Sequence, residues 1–160
     1  MAYKLKMRLW RGDQSGGENP YAIQQDLQQK MNDLVGIIRT ADELTQSLKE
    51  IESLKERAKR LTVEGHRQYN PGWHLAIDLR NMLIVSEAIA KAALERQESR
   101  GGHTRDDFPG PREDWGAKNL VVSMGDDGES VELAHQSLPV MPDDLKKFFD
   151  APAPAAEEGS

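Results

Sequence analysis

Cysteine is missing from all 160 positions. A disulfide framework, a thiolate zinc site, a thiol nucleophile and a cysteine-ligated iron–sulfur cluster are therefore closed to this chain. Long apolar runs are missing too. None approaches the roughly 18 residues that a membrane span needs, so no direct membrane insertion is expected. The opening MAYKLKMRLWRGD lacks the apolar middle of a secretory signal, which makes the cytoplasm the expected location. Positive charge is outweighed, with Lys+Arg 21 against Asp+Glu 27, a net charge of -6 and a pI near 5.3. That balance argues against nucleic acid as a partner, since a basic face is required there. Lys55, Arg57, Lys59 and Arg60 form a local basic run, which reads as the solvated face of a helix.

Chemical motifs are scarce as well. His66, His74, His103 and His135 form no His-x-x-x-His pair and no cluster with carboxylates, so no metal ligands are assigned. Gly-x-Gly-x-x-Gly after a strand is absent, and so is the Gly-x-Ser-x-Gly nucleophile elbow. Neither a dinucleotide cradle nor a serine hydrolase is expected.

What the sequence does have is helical periodicity. Asn70-Pro71 is a helix-start pair: Asn caps free N–H groups, and Pro lacks the N–H that would be wasted in a first turn. From Trp73 onward Leu75, Leu79, Met82, Ser86, Ile89 and Ala93 form one stripe, widened by Ile77, Ile84, Ala88 and Leu94. A helix so broadly apolar needs neighbours on several sides. The pattern predicts a helix from Trp73 to Arg100. Arg96 and Arg100 would occupy its last turn, and Gly101-Gly102 would form the stop.

Two flanking helices are predicted. Asn19-Pro20 opens the first, with Ile23, Leu27, Met31 (Lys30 by strict register), Leu34 and Ile38 at helical spacing. Gly36 within that pattern costs up to about 1 kcal/mol relative to Ala, and close approach of another helix is the expected reason. Thr40-Ala41-Asp42-Glu43 is a capping box that starts the second, with Leu44, Leu48, Ile51, Leu54, Ala58 and Leu61 inward. Short links between such helices predict antiparallel neighbours.

Strand signals flank the helices. Tyr3 to Trp10 alternates apolar and basic residues, the period of a half-buried strand that must pair with something. Asn119 to Ser123 reads as a strand, Gly125 to Gly128 as a turn, and Ser130 to His135 as a returning strand. Pro142 to Phe149 reads as a short helix, and the Pro/Ala/Glu-rich residues 151–160 as a disordered tail. The expected fold is mainly α: an antiparallel three-helix bundle, with a small β-hairpin or sheet from the C-terminal region that the N-terminal strand can join. The expected division is 1–18 strand and linker, 19–109 bundle with its exit loop, 110–150 loop, hairpin and short helix, and 151–160 tail.

The densest polar stretch is Glu98 to Pro109. Arg100, His103 and Arg105 can donate to carboxylates or carbonyls, and Gly101-Gly102 permit close backbone approach. One reading is an anion site for a substrate or cofactor. The other is an interdomain clamp, in which Asp106 or Asp107 neutralises the arginines and Phe108 anchors the loop. The clamp is preferred because no nucleophile or phosphate loop accompanies the cations. An acid–base pair of His103 with Asp107 is a third reading, without a spacing argument behind it.

At this stretch the chain resembles a known family. Residues 19 to 115, and the region that follows to about 150, resemble the C-terminal helical domain of succinate dehydrogenase/fumarate reductase flavoprotein subunits. LQQKMNDLVGIIRTADEL, LRNMLIVSEAIAKAALERQESRG and GGHTRDDFPGPREDW carry the likeness. The family run Glu-Ser-Arg-Gly-small-His-x-Arg-x-Asp-Phe/Tyr-Pro falls on Glu98, Ser99, Arg100, Gly101, Gly102, His103, Arg105, Asp107, Phe108 and Pro109. The resemblance implies a spectrin-repeat-like bundle packed against FAD-binding and capping domains. The whole enzyme interconverts succinate and fumarate through covalently held FAD, then iron–sulfur clusters and quinone. The family's catalytic and FAD-linking residues lie in preceding domains, so no catalytic, cofactor-binding or metal-binding residue is carried onto this chain. The implied cofactor, FAD, belongs to the parent family.

The implied partners are the FAD-binding domain and the iron–sulfur subunit, with peripheral placement at the cytoplasmic membrane through the parent complex. Arg100, His103, Arg105, Asp106, Asp107 and Phe108 are the expected contacts to a neighbouring domain or partner. Residues 1–17 resemble the opening strand of the iron–sulfur subunit. The competing functional reading is a free-standing helical bundle that binds a protein partner through exposed faces.

Overall fold

Asn19 starts the first helix as its chemistry dictates: its side chain accepts the Tyr21 N–H at 2.9 Å, with Pro20 in the first turn. The computed structural model describes residues 17–149, so the expected strand at Tyr3–Trp10 and the tail 151–160 lie outside the described residues. Helix α1 (Pro20–Leu34) buries Ile23 and Leu27 but stops short of Ile38. Val35 makes the last helical bond, to the Met31 carbonyl at 3.0 Å. A Cβ on Gly36 would stand 2.9 Å from the Asn32 carbonyl oxygen. Gly36 therefore serves the chain's exit from α1, and the expected contact with another helix is corrected. Ile38, expected inward, is exposed and pairs instead in strand β1 (Ile38–Arg39).

The capping box at Thr40 forms in full. Thr40 Oγ1 accepts the Glu43 N–H at 3.3 Å, and the Glu43 carboxylate accepts the Thr40 N–H at 2.8 Å. Helix α2 (Ala41–Ala58) follows, burying Leu44, Ser47, Ile51 and Leu54. Its basic run is spent on acids. Lys55 pairs with Glu87, Arg57 with Glu18 and Asp26, Lys59 with Glu56, and Arg60 with Glu18.

Asn70 caps α3 (Pro71–Glu95) by accepting the Gly72 N–H at 3.0 Å. The helix ends five residues before the expected Arg100, because Arg96 adopts an extended conformation (φ -78, ψ 96). Arg100 is thus part of the exit loop, and Gly101 (φ 59) shapes a turn within that loop instead of stopping a helix. The buried face of α3 is also rotated from the expected stripe. Ala76, Leu79, Leu83, Ser86, Ala90 and Ala93 are buried, whereas Ile77 and Ile89 are exposed. Small alanines on that face let α1 and α2 come close, and the three helices share one apolar core. Each fully buried Leu or Ile there contributes roughly 1.5–3 kcal/mol.

The antiparallel hairpin of β3 (Lys118–Met124) and β4 (Val131–Ser137) forms where strand alternation placed it, pairing Lys118 with Ser137 through Met124 with Val131. Asp127 closes its turn by accepting the Glu129 and Ser130 N–H groups, each at 2.8 Å. Arg80 donates to the Gly128 carbonyl at 2.9 Å and Lys91 to the Val131 carbonyl at 3.0 Å, which fastens the hairpin to α3. The single-turn helix α4 (Glu113–Gly116) precedes the hairpin, and α5 (Asp143–Lys146) is shorter than the helix expected to reach Phe149. The fold is mainly α with a small antiparallel sheet. One further pair was not foreseen: β1 runs parallel to β2 (Thr104–Arg105), with Ile38 opposite Thr104 and Arg39 opposite Arg105. Among the described residues no helix is long and apolar enough to cross a membrane.

Candidate functional site at the exit of α3

An α-helix leaves its last carbonyls without partners, and at the end of α3 a side chain from downstream supplies them. The β1–β2 pairing places Arg105 under the helix end. Its Nη1 donates to the Ala93 carbonyl at 2.8 Å and the Leu94 carbonyl at 3.1 Å. Its Nε and Nη2 reach the two oxygens of Asp107 at 2.8 and 2.7 Å. Arg105 is only 1% exposed, an extreme burial for a permanently charged side chain, and this donor set is what makes it tolerable. Asp107 also accepts the Ala41 N–H at 3.0 Å, in the first turn of α2. The Arg105 hydrogen bonds, set against partial burial and aided by the Ala41 N–H, hold the Asp107 carboxyl down at about 2.

A second hub is Glu98, which is wholly buried. It accepts from Arg96 Nε at 2.8 Å, Arg100 Nε at 3.0 Å and the Arg112 backbone N–H at 2.8 Å. The Arg100 bond foremost, opposed by desolvation and joined by Arg112 and Arg96, holds its carboxyl at about 2. Arg96 continues outward, donating to the Trp115 carbonyl at 3.2 Å and lying over the Trp115 ring at 5.5 Å. Ser99 ties the loop together: its Oγ accepts the Arg105 N–H at 2.8 Å and lies 3.0 Å from the Phe108 carbonyl.

His103 Nε2 is 3.0 Å from the Arg96 carbonyl. A carbonyl only accepts, so Nε2 carries the proton and donates. Burial, and then the charges of Arg39, Arg105 and Arg96, push the His103 pKa below its ordinary value against the opposing carbonyl bond. The ring is neutral at pH 7. His103 and Asp107 have different partners and do not form the acid–base pair considered from the sequence. Phe108 lies under the Arg105 guanidinium, 4.9 Å from its carbon to the ring centre, and Asp106 donates its backbone N–H to the Arg39 carbonyl at 3.1 Å. Arg100 remains exposed, donating to Glu98 and to the Arg112 carbonyl at 3.0 Å.

The six singled-out residues thus gather at one helix exit, but they divide. Arg105 and Asp107 knit the loop to α2 and α3, while Arg100 and Asp106 face solvent. Sequence reading passed over Glu98 as an organising charge, although an acid spaced two residues from arginines on either side was the available signal. Arg39 and Trp115 gave no such signal. Their roles come from segments that meet only in the folded chain. Among the described residues no group of three His, Asp or Glu side chains is placed to hold a metal ion.

The family model for the fumarate reductase flavoprotein C-terminus matches residues 24–147. A fumarate reductase flavoprotein subunit of Mycobacterium tuberculosis is 34% identical over 128 residues, covering 79% of this chain and 22% of its own length. An uncharacterized FAD-dependent oxidoreductase of Methanocaldococcus jannaschii is 36% identical over 107 residues, covering 67% of this chain and 19% of its own. Among solved structures, Mycobacterium smegmatis Sdh1 in complex with UQ1 superposes with a TM-score of 0.79 at 49% identity, covering 87% of this chain and 24% of that one. The chain therefore spans about a fifth of the length of the curated relatives it matches. The likeness of residues 1–17 to an iron–sulfur subunit finds no support in these matches.

Proposed function

The chain belongs to the fumarate reductase flavoprotein C-terminal family, and on that premise we propose that it is a packing domain of an enzyme interconverting succinate and fumarate. In this reading its helices and exit loop dock against the FAD-binding and capping domains, and the chemistry belongs to those domains. Its partners are the FAD-bearing part of the flavoprotein and the iron–sulfur subunit, and peripheral membrane association comes through the assembled complex.

One observation carries the reading. The central cation of the candidate loop, Arg105, is buried and held by Asp107 and the α3 carbonyls. A guanidinium so buried, with its charge already matched by a carboxylate, is not presented to a substrate anion. The FAD that the family implies does not fit this site for the same reason, since Glu98 and Arg105 are both consumed internally. The exposed Arg100, Asp106 and the edge of Phe108 are left to meet a neighbouring domain.

The test is direct. Purified chain is expected to bind no flavin and to give no succinate-dependent dye reduction. A yellow preparation that reduces dye with succinate overturns the proposal.

A further inference from the structure

We propose that the corner formed by Ile37, Ile38 and Arg39 receives a carboxylate from the FAD-bearing part of the flavoprotein. This rests on the docking reading above and names the point of contact. Arg39 Nε is buried and has no hydrogen-bond partner among the described residues. Its neighbours make the want sharper. Arg105 stands across the β1–β2 pair, and His103 and Arg96 lie in the same cluster. Asp107, the acid built into that cluster, is already divided between Arg105 and the Ala41 N–H. A guanidinium does not discharge near neutral pH, so it calls for an acceptor beyond the described residues, and its planar fork matches a carboxylate.

The flanks point the same way. Ile37 and Ile38 are 77% and 63% exposed, two consecutive branched apolar side chains beside an arginine whose Nε has no partner among the described residues. An apolar patch with an arginine anchor is the composition of an interface centre. A second copy of this chain fits poorly, because a two-fold contact through the patch would set Arg39 against Arg39. The remaining four-fifths of the relatives' length supplies the better occupant, an acidic residue on the flavin-bearing domains.

Two measurements decide it. In the intact chain, nitrogen-15 NMR of the arginine Nε–H groups is followed during sodium acetate addition. The Arg39 signal is expected to move and saturate, while that of Arg60, already paired with Glu18, stays near its start. No selective movement at Arg39 overturns carboxylate recognition. Next, residues 17–149 replace the matching quarter of full-length Mycobacterium smegmatis Sdh1, and thermal release of flavin is followed. Arg39→Gln is expected to lower the midpoint of this chimera by about 3 °C or more, and Arg39→Lys by less, while neither lowers the midpoint of the free chain. An equal fall in both proteins makes Arg39 a structural residue and overturns the inference. A chimera from which protease frees residues 17–149 at once, with the acetate response intact, overturns the docking reading and with it the assigned partner.

Discussion

Arg105 and Asp107 form a two-pronged pair, at 2.8 and 2.7 Å, that joins the end of one helix to the start of another. Arg105 serves the carbonyls ending α3, where a helix dipole presents partial negative charge, and Asp107 serves the Ala41 N–H starting α2, where it presents partial positive charge. Each member thus sits at the helix end suited to its sign. Removing Asp107 leaves a buried guanidinium short of its counter-charge. Asp107→Ala is expected to lower unfolding stability by about 3 kcal/mol, read as a shift in the urea midpoint. A loss below about 0.5 kcal/mol, the usual size for a surface substitution, would show that the link contributes little.

Glu98 calls for a similar experiment with a different signature. Glu98→Gln keeps the volume but removes the charge that Arg96, Arg100 and the Arg112 N–H converge on. The expected loss is about 3 kcal/mol, with exposure of Trp115, which Arg96 covers and bonds. Tryptophan fluorescence checks the second part: an emission maximum unchanged by the substitution contradicts it.

Acid should unfold this chain through identifiable groups. Glu98 and Asp107 titrate at about 2 when folded, below their ordinary values, so the unfolded chain binds more protons as pH falls. Their stabilisation is fully present above the ordinary carboxylate range and is lost between about pH 4.5 and 2. His103 adds an earlier decline, because its folded pKa is also lowered and the unfolded chain takes up the proton first. Stability is expected to start falling as pH drops through about 6.5, the ordinary histidine value. His103→Gln, which keeps a donor for the Arg96 carbonyl, should flatten the decline between pH 7 and 5. An unaltered profile would remove His103 from the account.

At Gly36 the issue is space. A Cβ there would press on the Asn32 carbonyl at 2.9 Å, and backbone cannot swing aside as a side chain can. Gly36→Ala is expected to destabilise by about 1 kcal/mol, after allowing for the lower entropy of the unfolded chain. A thermal midpoint at or above the unsubstituted value refutes the steric reading.

Local devices were legible from residue types alone. Asn19, Thr40 and Asn70 cap the helices they precede, and residues 118–137 form the hairpin their alternation and turn residues specify. The exit of α3 was legible only as a cluster of charges. Its internal wiring depends on a parallel strand pair two residues long, too short to show any period. That pair also explains why α1 ends early: Ile38, at helical spacing from Leu34, is drawn to Thr104, 66 positions later.

By itself the sequence determined where helices begin, which residues are able to enter a core, and which family the run from Glu98 to Pro109 resembles. Those properties depend on hydrogen bonds and periodicities spanning a few neighbouring residues. Tertiary structure alone decided which face of α3 is covered, where that helix ends, and that Arg105 is paired inside while Arg39 Nε meets no acceptor among the described residues. Burial and charge pairing depend on what segments distant along the chain bring to the same place, and no local pattern encodes that meeting.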